Sequence, residues 1–482
     1  MSEANRSRGL ALAVLSAASL MVVLDSSIVA VALPAIQAEL GFGPAGLAWV
    51  VNAYLVAFGG LLLLSGRLGD LVGRRRVFLG GLTLFTVASL AAGVSSDAAV
   101  LVVSRFAQGV GGALASAVVL GMIVTMYPEP RARAKAIGVY SFTQAAGASL
   151  GLIAGGALTQ ALNWHWTFYV NLPIGIAALV LALWVIEPDR GTGLRAGIDA
   201  LGAVLVTGGV MLLVFAIIQA GERGIGDWVT SGSFAAAVLL LAGFVLRQAK
   251  ARTPLLPLRL FRVRAVTGAN LVMVLMVSGL LGFQFITALY LQKVLGLDAL
   301  GTGFAFLPAP VMIAIGSLGF ADRLSARFGP RAMLITGIGV IIVAMLLLSR
   351  VPADGHYVAD VLPALVLMGT GGGVAIPALM GLAMSGVTPE DSGVASGLIN
   401  TTQQVGAAIG TAVLATAAAA RADGLVAAGT EIRAALAGGY RLAYGLSAGF
   451  LALAVLAAAL VLATRKQTPV VQPELSAAGE AR

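Results

Sequence analysis

The sequence contains no cysteine and only two histidines, His165 and His356. Disulfides, thiolate metal sites and cysteine nucleophiles are therefore excluded. The two histidines fall in predicted loops far apart, so no His-Glu-x-x-His zinc helix exists. No Gly-Lys dipeptide occurs, which removes the phosphate-binding loop that ATPases build on that motif. Charge is scarce as well: 11% of the 482 residues are Asp, Glu, Lys or Arg, where a soluble chain carries roughly 25%. What is present instead is apolar. A 59% apolar content and a mean hydropathy of +0.97 make lipid the solvent. The net charge of +9, from 30 Lys and Arg against 21 Asp and Glu, would suggest nucleic acid in a soluble protein. In a membrane chain it reads as an orientation signal.

A helix crosses about 30 Å of hydrocarbon with roughly 20 apolar residues. Fourteen such runs occur, at residues 10–33, 47–65, 77–94, 98–126, 134–158, 168–186, 198–219, 231–246, 265–289, 301–320, 332–348, 361–384, 393–420 and 442–463. The first is too long for a signal-peptide core and carries Asp25 in its middle. Loops after even-numbered runs, together with both tails, hold roughly fourfold more Lys and Arg than loops after odd-numbered runs. Both termini are therefore predicted to be cytoplasmic.

The stretch Gly66 to Arg76 has a counterpart in Gly319 to Arg331. Each places an acid, then glycine and several arginines, between two apolar runs. If the two are equivalent, runs one to six repeat as runs nine to fourteen, with runs seven and eight inserted. The expected architecture is an all-α integral membrane protein with 14 transmembrane helices. Residues 10–190 form one six-helix bundle and 265–464 a second. Residues 191–264 hold two inserted helices and a basic connector, and 465–482 a cytoplasmic tail. Paired bundles of this kind place a substrate site between them near the midplane.

Asp25 lies halfway along the first run, where an uncompensated acid costs roughly 2.5–3.5 kcal/mol. It therefore faces a cavity or a partner. One reading is a proton-binding carboxylate; the other is a packing acid bonded to Ser26, Ser27 or backbone. Arg105 is the only base placed within the bilayer, and its guanidinium needs a counter-charge. Uncharged polar residues inside runs are candidates for a substrate cavity: Asn52, Tyr54, Gln108, Gln144, Gln284, Asn400, Thr401, Gln403 and Gln404. Asn52 and Tyr54, two apart, are expected on different faces. Asp199 reads as a helix cap. No metal site and no catalytic residue emerges.

These motifs resemble the major facilitator superfamily, specifically its fourteen-helix branch of drug:proton antiporters. Gly66–Arg76 is similar to its cytoplasmic-loop motif and Arg105 to Gly112 to its fourth-helix motif. Gly138, Gly147, Gly151, Gly155 and Gly156 have its antiporter-motif spacing, although Leu152 replaces the usual proline. Leu24 to Pro34, Trp164 to Gly175 and Ala395 to Gln404 favour the fourteen-helix branch. The resemblance implies alternating access, with Asp25 and Arg105 coupling proton movement to transport. It implies a conformational latch at Gly66, Arg67, Asp70, Gly73 and Arg74, with Asp70 at the N-terminus of helix thirteen. It implies a glycine packing seam on helix five and a proton gradient in place of any cofactor. The partners would be protons, a hydrophobic or cationic small molecule and membrane lipids, with no nucleic acid, and the unit a monomer. The location would be a bacterial inner membrane. A dedicated exporter of one metabolite is the alternative; an integral-membrane enzyme is disfavoured.

Overall fold

The computed structural model describes residues 3–42, 44–189, 191, 193, 199–224, 226–251, 254–385, 387–388 and 391–462. The expected tail, 465–482, lies outside the described residues, as do the side chains of Asp322 and Arg323 in the repeated loop. The described secondary structure is helical throughout, and 14 helices are long and apolar enough to cross a membrane. We number the spans α1 (Glu3–Leu40), α2 (Pro44–Val72), α3 (Arg74–Gly93), α4 (Ala98–Met126), α5 (Pro130–Ala161), α6 (Asn171–Val185), α7 (Ala200–Arg223) and α8 (Trp228–Lys250). The remainder are α9 (Arg264–Leu289), α10 (Leu300–Ser317), α11 (Pro330–Leu348), α12 (Leu362–Ala383), α13 (Ser392–Ala427) and α14 (Ile432–Val461).

Local chemistry sets the helix ends. Asp97, Asp199, Asp227 and Asp298 cap α4, α7, α8 and the start of α10 by accepting backbone N–H groups. Proline opens α5 and α11, where its missing N–H has no helical partner to lose. The tenth run is not the single helix expected. It divides into Ala299–Phe306, Pro308–Ala314 and a π-turn at Ile315–Phe320. Pro308 and Pro310 supply no N–H to the preceding turn, so the ladder breaks there.

Helix pairing repeats across the chain. In the first half α1 packs on α5, α2 and α3 on α4, and α1 and α3 on α6. In the second, α9 packs on α13, α10 and α11 on α12, and α9 and α11 on α14. Two six-helix bundles thus share one pairing plan. They meet where α13 touches α2 and α4, and where α5 touches α10 and α12. The inserted α7 and α8 pack on each other, and α7 leans on α2 and α13. Trp49 of α2 stacks on Phe215 of α7 at 5.8 Å.

Candidate functional site

Asp25 and Arg105 are fully buried, each with 0% of its surface exposed. The Arg105 Nη1 donates to Asp25 Oδ2 at 2.5 Å and to Gln108 Oε1 at 2.8 Å. Its Nε donates to the Val50 carbonyl at 2.9 Å. Gln108 Nε2 donates to Asp25 Oδ1 at 3.1 Å and to Ser89 Oγ at 2.7 Å. Asn171 Nδ2 donates to the same Oδ1 at 2.7 Å, while its own Oδ1 is buried with no partner among the described residues. The Arg105 guanidinium also lies over the Tyr54 ring, 4.5 Å from its centroid. Three helices, α1, α4 and α6, thus meet at one carboxylate, and α3 joins the network through Ser89. Charges are stable in so dry a place only when paired and fully hydrogen-bonded.

Beside this network, at mid-height between the bundles, lies a cavity of about 870 Å³. Asn52, Tyr54, Gln144, Gln284, Gln403 and Gln404 line it. Asn52 and Tyr54 share it despite their spacing, because the cavity is wide enough to meet two sides of α2. Gln108 and Asn400 do not line it. Gln108 is consumed by the ion pair, and Asn400 donates to the Ser396 carbonyl of its own helix at 2.9 Å. Asp25 faces its partners rather than the cavity. Its chain neighbours Ser26 and Ser27 reach the lumen.

A second acid sits at the end of the molecule where α1 begins and α14 ends. Asp70 accepts from the backbone N–H groups of Gly393 and Val394, both at 2.9 Å, across the interface between bundles. A carboxylate at this first turn of α13 is favoured by the helix dipole. Arg74 pairs with it at 3.0 Å. A side chain at Gly66 would collide with the Gly393 carbonyl, so glycine is what lets α2 and α13 touch. Gly73 has φ of +109°, a backbone that only glycine adopts readily. Arg67 forms no ion pair among the described residues.

Helix-five glycines divide between two partners. A Cβ at Gly147, Gly151 or Gly155 would crowd the Leu20, Leu24 or Ile28 carbonyl of α1, at 3.1, 2.6 and 2.7 Å. Gly138 and Gly156 instead face Ser317 and Leu300 in the other bundle. The seam therefore runs along α1 beside Asp25, and its ends touch α10.

A sequence model described as the Major Facilitator Superfamily matches residues 15–411. The chain belongs to that superfamily. Membership makes it a transporter, not an enzyme. It is 38% identical over 462 residues to the puromycin resistance protein pur8 of Streptomyces alboniger, covering 95% of this chain and 92% of that one. It is 37% identical over 462 residues to the cephamycin export protein CmcT of Amycolatopsis lactamdurans, covering 95% and 94%. Two solved superfamily structures share the fold. The human organic anion transporter MFSD10 has a TM-score of 0.66 at 15% identity, covering 94% of this chain and 99% of that one. The proton:xylose symporter XylE has 0.63 at 14% identity, covering 93% and 96%.

Several residues of this superfamily member escaped sequence reasoning. Asn171 stood in a quoted motif with no role; an amide in an apolar run was its only signal. Asp189 accepts the backbone N–H groups of Arg74 and Arg75, at 2.6 and 3.0 Å, and so caps α3. Arg259, on the connector before α9, pairs with Asp391 at 2.8 Å beside the start of α13. Asp199 is the helix cap expected from sequence, accepting from Gly202 N at 3.0 Å, and it also holds Arg247 Nε and Gln248 Nε2 at 3.0 and 2.9 Å. Burial pushes its carboxyl up, but those hydrogen bonds and the Arg247 charge outweigh burial and hold it below the usual carboxylate range.

Proposed function

We propose that this multi-pass membrane protein exports lipophilic small molecules in exchange for protons, by alternating access between its two bundles. The observation that carries the reading is the buried Asp25–Arg105 pair, separated from a drug-sized cavity by the Tyr54 ring. Both termini are taken as cytoplasmic, on the charge asymmetry of the loops. The Asp70 contact with α13 then closes the cytoplasmic side. In this state Asp25 is ionised and holds Arg105, Gln108 and Asn171. A proton arriving from outside neutralises it and weakens the pair. Arg105 retains the Val50 carbonyl and Gln108, so the guanidinium is not left bare. Loosening of α1 along the glycine seam, and release of Asp70 from α13, would open the cytoplasmic side. There the proton leaves and cargo enters. One charge moving down 100 mV supplies about 2.3 kcal/mol, enough for roughly a fiftyfold cargo gradient.

The test is transport in reconstituted vesicles under an imposed proton gradient. Asp25→Asn is expected to insert and to keep downhill exchange, but to lose gradient-driven accumulation by about 100-fold or more. Wild-type accumulation that persists after the gradient is collapsed would overturn the reading. A second reading, export of one dedicated compound, is favoured by relatives named for single antibiotics, such as cephamycin and tetracenomycin C. A panel of chemically unrelated toxic compounds separates the two. Protection against only one supports dedication. The bacterial relatives favour an inner-membrane location, and nothing in the mechanism requires more than one copy.

A further inference from the structure

The central cavity is lined by apolar and uncharged polar side chains. Among its described lining residues there is no Asp, Glu, Lys, Arg or His. Its polarity comes from amides and hydroxyls, chiefly Asn52, Gln144, Gln284, Gln403 and Gln404. Its walls include Met273, Met276, Met368 and Met380, flexible side chains that adapt to irregular shapes. At about 870 Å³ the space suits one drug-sized molecule.

The nearby carboxylate does not serve this space. Both oxygens of Asp25 are occupied: Oδ2 by Arg105, Oδ1 by Gln108 and Asn171. The residue has no exposed surface. Tyr54 stands between, with one face of its ring already taken by the Arg105 guanidinium. Seen from the cavity, acid and base together carry no net charge. A permanent cation moving in from water would lose hydration and meet no counter-ion, a combination that proteins avoid. An uncharged molecule would lose little and could exchange hydrogen bonds with the amides. Gln144, one of those amides, is held from behind, its Nε2 donating to the Tyr140 hydroxyl at 3.0 Å.

We propose that the cavity selects uncharged lipophilic molecules, including a weak base in its neutral form, and discriminates against permanent cations. The proposal rests on the export reading above for the cavity's role as cargo site. It also makes transport electrogenic: with neutral cargo, each proton carries one uncompensated positive charge inward.

The test is equilibrium binding to the purified full chain in lipid nanodiscs, without any gradient. Two probes of similar size are used, triphenylmethanol and the permanent cation methyltriphenylphosphonium. Wild type is expected to bind the alcohol at least tenfold more tightly. Gln284→Glu, which places a carboxylate in the wall, should raise phosphonium affinity at least tenfold and narrow or reverse the preference for the alcohol. Gln404→Glu is the second variant should the first fail to fold. Phosphonium binding equal to that of the alcohol in wild type would overturn the proposal. So would an unchanged phosphonium affinity in a folded glutamate variant. Because no gradient is applied, failure of proton coupling in the vesicle assay leaves this result intact, and the reverse also holds.

Discussion

The two bundles share a pairing plan and differ in what they bury. Where α1, α4 and α6 meet in the first, an acid, a base and two amides form one network. In the second, α9 and α14 meet around neutral groups. Thr287 and Tyr444 share a hydroxyl hydrogen bond at 3.1 Å, and the Phe283 and Tyr444 rings lie 6.3 Å apart. Within the spans of the second bundle no charged residue is buried among the described residues; the buried acid of that half, Asp391, lies just before α13. Fold symmetry therefore does not extend to the chemistry. Packing needs only complementary shape, which a repeat preserves; a buried charge needs every partner, so one complete network is sufficient.

Four substitutions or conditions test that asymmetry. The largest effect is expected from Arg105→Ala. It strands Asp25 as an unpaired buried acid at a cost of about 3–5 kcal/mol, read as a large loss of thermal stability in detergent. A variant as stable as wild type would mean that the network is dispensable. Asn171→Leu removes one donor from Asp25 and leaves the ion pair in place. Gradient-driven transport should fall about tenfold with downhill exchange preserved, a split that simple destabilisation does not produce. Thr287→Val, on the corresponding helix of the second bundle, should cost only about 1 kcal/mol and leave proton coupling unchanged. A coupling defect there would spread the proton chemistry over both halves.

The smallest effect concerns pH at the inserted pair. The Asp199 carboxyl is held low in the folded protein. Its contribution is therefore complete above the unfolded value near 3.9 and is lost as pH falls through the lower folded value. Thermal unfolding scans taken downward from about pH 6 should show this loss in wild type and less of it in Asp199→Asn. Equal pH dependence in the two proteins would remove Asp199 from the account.

Much of the fold was legible because lipid is a strict solvent. Every span had to be long and apolar, and the structure has fourteen. Asp25 and Arg105 stood out for the same reason, as charges that topology does not explain. The break in α10 was less legible, since Pro308 and Pro310 sit in a run whose composition is otherwise that of a helix. The cavity was least legible. A glutamine inside a span looks the same in sequence whether it lines the cavity, as Gln284 does, or joins an ion pair, as Gln108 does.

The sequence by itself determined the number of spans, the uneven loop charge and the presence of an acid in the membrane. Those follow residue by residue from the cost of placing polar groups in hydrocarbon. Only the tertiary structure decided what that acid touches. Arg105 lies 80 residues from Asp25 and Asn171 lies 146 away. Their meeting depends on how α1, α4 and α6 are rotated against one another. That rotation is set by packing across the whole bundle, including the glycines that bring α5 onto α1.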